Sequence, residues 1–123
     1  MNRPDSTIQK LRPLIPNALS TNSNEIEAFQ NTVIRPILKL QHEILLAHIE
    51  FDKNFVALKN IPSTKEAFLE KVKDLLLHNI ALKNQLLGCT IGMMTVDELK
   101  VYHIDLSEYS KRIMSMIVKR VCG

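Results

Sequence analysis

The sequence has no tryptophan, only 3 glycines, 2 cysteines and 5 prolines among 123 residues, and an aromatic share of 5%. Scarce glycine leaves few tight turns, which argues against a many-stranded β fold and against a glycine-rich phosphate loop. Cys89 and Cys122 stand 33 residues apart without CxxC spacing or a nearby His pair. With no secretory apolar segment after Met1, they read as free thiols of a reducing cytoplasm. The most apolar run, Leu86 to Val96, holds 11 residues, well short of the roughly 20 that span a bilayer. No membrane partner is expected.

A strong charge of one sign is also missing. Sixteen basic residues face 13 acidic ones, net +3, and residues 1–24, 25–60, 61–94 and 95–123 carry +2, −1, +1 and +1. So even a spread predicts no phosphate-tracking groove, and nucleic acid is not an expected partner.

What is present is an apolar share of 46%, enough for one all-α domain. Three of the five prolines (Pro4, Pro13, Pro16) and the run Ser20-Thr21-Asn22-Ser23 mark residues 1–23 as an arm and linker with room for one short helix near Ser6–Leu11. Residues 24–123 read as the helical bundle domain. Asn24 and Glu27 have the spacing of an N-cap and its reciprocal carboxylate, and Ile26, Phe29, Val33, Ile37, Leu40, Ile44, Ala47 and Phe51 then recur at steps of three and four. A second stripe, Ile34, Leu38 and Leu45, widens that face. Pro36 falls inside it and predicts a kink, at about 3 kcal/mol if nothing compensates.

Ser63-Thr64-Lys65-Glu66 is a capping box, followed by Phe68, Val72, Leu75, Asn79, Leu82, Leu86, Cys89 and Met93. Thr95-Val96-Asp97-Glu98 is another. It opens the stripe Leu99, Tyr102, Leu106, Tyr109, Ile113, Met116, which favours one helix, with Ser107 the place for a separate final segment. Three long helices with short connections predict an elongated antiparallel bundle, and wide apolar faces on thin rods predict a homodimer.

The chemistry-bearing residues are few. Arg35, Lys39 and His42 share one edge beside the carbonyl freed by Pro36 and could cradle an anion; a solvated basic edge is the plainer alternative. Gly88 and Gly92, one turn apart, read as close packing or a bend, or as a groove for a ligand or partner. Gln41, His48 and Asn79 lie on apolar stripes, where polar groups fix register and oligomeric state. Lys111, Arg112, Lys119 and Arg120 suit the C-terminal end of a helix dipole. The histidines give no metal site: Asp74 and His78 read as a solvated pair, and residues three before each His are Lys39, Leu45, Leu75 and Lys100, so the Glu-x-x-His repeat is absent. No cofactor is expected.

The string Phe29-Gln30-Asn31-Thr32-Val33-Ile34-Arg35-Pro36-Ile37-Leu38-Lys39-Leu40-Gln41 resembles a family of small all-helical bacterial proteins of about this length, whose members often carry the label "glyoxalase". The resemblance resumes at Leu87-Gly88, Ile91-Gly92, Thr95 to Glu98 and Lys111-Arg112-Ile113, and covers roughly residues 10–121. Metal-dependent glyoxalase I needs strand-rich modules, and its partner hydrolase needs a His-x-His-x-Asp-His motif; neither pattern is in this chain. The resemblance adds weight to Pro36, the glycine pair and Arg112, and Arg112 is expected to reach the kink or the glycines. The leading expectation is a non-enzymatic interaction protein, with a small-molecule or metal-binding enzyme as the alternative.

Overall fold

The structure, a computed structural model, describes residues 3–14 and 24–123. It is all-helical, with no strand among the described residues. The linker residues Pro16 and Ser20 to Ser23 lie outside them. No helix of the described residues is long and apolar enough to cross a membrane.

The arm holds helix α1, Asp5–Lys10. Helix α2, Glu25–Phe29, begins where the Asn24 side chain accepts the Glu27 amide at 2.8 Å. A π-turn, Gln30–Ile34, follows, with the Arg35 amide bonded five residues back to the Gln30 carbonyl. Helix α3 spans Arg35–Leu40 and carries Pro36 in its first turn, where a missing amide proton is least costly.

The π-turn resets the buried face. One extra residue in a turn rotates everything after it by about 100°, so the buried series runs Phe29, Ile34, Leu38, Leu45, Ile49, with a step of five across the turn. Of the stripe expected to lead, Phe29 and Ile37 are buried, but Ile44 and Phe51 farther on are turned outward, at 51% and 85% exposed.

The long helices read from the sequence are interrupted. Helix α4 is His42–Glu50 and α5 is Lys53–Lys59; between them Asp52 is extended and its carboxylate accepts the Asn54 and Phe55 amides at 3.0 and 3.1 Å. Helix α6, Lys65–His78, starts at the Thr64 cap, and α7 is Ile80–Ile91. Asn79 divides them, its side-chain oxygen accepting the Leu82 amide at 3.1 Å. A short polar side chain that can cap competes with helix continuation, and the apolar spacing alone did not register it. Helix α8, Val96–Ile104, carries the complete capping box of Thr95 and Glu98; α9 is Leu106–Cys122. Residues 96–121 therefore form two helices, and the break is at Asp105 rather than at Ser107.

The core gathers residues from every helix but α1. Ile34, Ile37, Leu38, Val72, Leu86 and Ile113 are wholly buried. Phe29 and Tyr109 meet at 4.8 Å between ring centres, and Phe55 meets Phe68 at 6.2 Å, both within the range of favourable aromatic pairs. Tyr102 and Ser110 pair through their hydroxyls across the α8–α9 break.

Candidate functional site

Helix α9 buries Tyr109, Ile113, Ile117 and Val118, which leaves Arg112, Lys119 and Arg120 along its flank beside the π-turn. Arg112 is fixed twice. Its Nε donates to Glu108 Oε1 and its Nη1 to Gln30 Oε1, both at 2.8 Å. The hydrogen bond from Arg112 holds the Glu108 carboxyl below its ordinary value. Arg112 thus reaches Gln30, the first residue of the π-turn.

Arg120 lies 3.2 Å from His42, Nη1 to Nδ1. A guanidinium only donates, so this contact assigns Nδ1 as the unprotonated ring nitrogen. Burial first, and then the charge of Arg35, push the Arg120 pKa below the usual guanidinium value. Arg35, Arg112, Lys119 and Arg120 surround one open hollow of about 380 Å³, with Gln30 and Ser115 in its wall and no carboxylate among its described lining residues. The positive charge of Arg35 thus acts on Arg120 across this open hollow, a grouping of cations whose chemistry suits an anionic group.

Of the residues expected to hold an anion, Arg35 and Arg112 line this hollow, His42 stands behind Arg120, and Lys39 is exposed outside it. Lys119 and Arg120, which the sequence places at the C-terminal end of a helix dipole, line the hollow as well. Their signal was the spacing from Arg112: seven and eight residues on a helix return to the same face.

The glycine pair sits elsewhere and is used differently. Gly88 is exposed, and none of the described residues comes within 4 Å of where its Cβ would lie, so it is not a close-packing position. Gly92 follows the end of α7, where a Cβ would fall 2.8 Å from the Gly88 carbonyl oxygen. The carbonyls beyond it are taken by the arm. Arg3 donates to Met94 O at 2.9 Å and Gly92 O at 3.0 Å; Arg12 donates to Met93 O at 2.7 Å and grips both Glu98 oxygens at 2.7 Å. Unpaired carbonyls and the negative end of the dipole make a helix C-terminus receptive to arginine. Residues 3–12 of the arm are therefore docked, and their two arginines reach the glycine turn in place of Arg112.

Gln41 and Asn79 are half-buried and bond across helices, Gln41 Nε2 to Cys89 O at 3.1 Å and Asn79 Nδ2 to Asp52 Oδ2 at 3.1 Å. His48 is half-buried in α4. His78 contacts the Asp74 backbone carbonyl at 2.9 Å rather than its carboxylate. Among the described residues no three of His, Cys, Asp and Glu come together as a metal site would require. Burial raises the thiol pKa of both Cys89 and Cys122, opposite to the shift that activates a nucleophilic cysteine.

No family model matches the chain, and no curated protein or solved structure matches it either.

Proposed function

We propose that this chain is a helical interaction protein that receives an anionic group of its partner in the groove between α9 and the π-turn. The observation that carries the reading is the four cations around one hollow; among the described residues it has no lining carboxylate, and only Arg112 is paired, to Glu108 outside it. Lys119 and Arg35, both exposed, supply attraction at a distance; Arg112, already oriented by Glu108 and Gln30, supplies a fixed fork. Pyrophosphate is the simplest probe. Thermal unfolding in its presence is expected to move upward, by about 2.7 kcal/mol of added stability at a hundredfold excess over Kd. The gain is expected to disappear in the Arg35→Gln/Arg120→Gln double variant and to shrink with added salt. An equal gain in that variant would contradict the assignment.

We also propose that the helices assemble as three rods, 24–60, 65–91 and 96–122, with the first bent at Pro36. The paired residues support this. Gln41 with Cys89 and Asp52 with Asn79 run in opposite directions; Gln30 with Arg112 and His42 with Arg120 run in the same direction. That is the register of an up-down-up bundle. The all-helical build supports membership of the small bacterial helical family that the sequence resembles, and the two free thiols support a cytoplasmic location.

A homodimer is part of the same reading, supported by Phe51 and Ile104, which are 85% and 82% exposed. Light scattering is expected to give twice the 14.1 kDa chain mass; a single-chain mass at micromolar concentration would reject the dimer and leave the anion groove standing.

A further inference from the structure

On the other side of α9, between it and helices α6 and α7, lies a second open hollow, of about 430 Å³. Its floor is aliphatic: Leu76 and Val118 belong to the buried core and Met114 packs against it, while Leu77, 61% exposed, stands at the edge. Its rim is cationic, with Lys73, Lys83 and Lys111. Lys73 has one weak, exposed contact to Glu70 at 3.5 Å. Among the described residues neither Lys83 nor Lys111 has a carboxylate within 4.0 Å.

We infer that this hollow binds a free single-chain aliphatic carboxylate. The volume lies in the lower part of the roughly 300–1,000 Å³ typical of small-molecule sites, which are mostly apolar with a few placed polar groups. Met114 in the lining adapts to a flexible chain. Lysines suit the mouth, because their methylene stems extend the apolar wall while their ammonium heads stay in water and meet a carboxylate there. Other occupants fit less well. The described lining residues include no aromatic side chain on which a nucleobase could stack. A second copy docked face to face would set its lysines against these ones. The site is separate from the arginine groove, although Ser115 lines both.

Titration calorimetry with decanoate, kept below its micelle concentration, tests the inference. Saturable one-to-one binding is expected. Leu77→Glu changes an exposed residue, is expected to leave the fold intact by circular dichroism, and is expected to weaken binding by about tenfold or more by placing a carboxylate against the aliphatic lining. Lys83→Gln/Lys111→Gln is expected to weaken it about fivefold. Arg35→Gln, in the other groove, is expected to leave it unchanged. The inference is overturned if decanoate does not saturate one site, if decyltrimethylammonium binds as tightly, or if Leu77→Glu has no effect. Binding to anionic phospholipid vesicles or to an acidic helical peptide without binding of free decanoate also overturns it.

Discussion

Glu98→Gln is expected to release the N-terminal arm and to remove about 3 kcal/mol from its docking, because it leaves the Arg12 charge buried without its counter-ion. The two side chains are only 6% and 12% exposed, so water does little to screen them. Glutamine can still serve the capping box at Thr95, which isolates the ion pair from the helix cap. Hydrogen exchange across residues 5–12 reads the release, since the rest of the molecule keeps its own protection. Arg12→Leu in the same background is expected to cost much less than it does alone, the non-additivity expected of two partners in one contact. Unchanged arm protection in Glu98→Gln would remove the ion pair from the account.

The same pair makes arm docking sensitive to acid. Burial acts to raise the Glu98 pKa, but the hydrogen bonds from Arg12 and the Thr95 amide and the Arg12 charge outweigh it and hold it below the ordinary value. A carboxyl depressed in the folded state contributes its stability at pH above its unfolded pKa and loses it as pH falls through the folded one. Wild-type arm protection is therefore expected to hold at neutral pH and to fall away only in acid below the usual carboxylate range. Glu98→Gln is expected to lack that transition.

The second large effect belongs to the core. Ile113 is wholly buried in the middle of α9, one residue from Arg112, between Tyr109 and Ile117 on the helix's buried face. Ile113→Ala is expected to cost about 3–4 kcal/mol, the loss of buried methyl groups plus the cavity they leave. Urea unfolding measures it. A cost under about 1 kcal/mol, the level of a surface change, would mean that α9 is not held through this face.

The sequence made the helical class readable because capping and spacing are local. Thr95 and Asn24 each cap the helix that their spacing to the next residues predicted, whereas α6 is capped by Thr64 through the Ala67 amide, one residue after Ser63, whose spacing to Glu66 had the form of the capping box. Local patterns also explain what was missed. Apolar steps of three and four pass through Asn79 and Asp105 unaltered, so a single non-helical residue does not disturb them. The π-turn adds one residue to a turn, and its only trace in the sequence is a second stripe, Ile34, Leu38, Leu45, beside the first.

Contacts made across the whole chain left still less trace. Arg3 and Arg12 meet residues 81 to 91 positions away, and in the sequence they are two charges in a proline-rich arm. The charge totals by segment were similarly even. Folding sets Arg35 beside Lys119 and Arg120, and an average along the chain cannot reveal that. Arg35, next to Pro36 in the sequence, lines the groove, whereas Lys39, one turn on from Arg35, lies at an exposed position outside it.

Arginine Nε–H resonances followed during a pyrophosphate titration test the anion groove most directly, since the chain has 5 arginines in two separate places. The account predicts that Arg35, Arg112 and Arg120 shift together along one saturable curve while Arg3 and Arg12, engaged at the glycine turn, stay in place. Shifts of equal size at all of them, or none at Arg35 and Arg120, would contradict it.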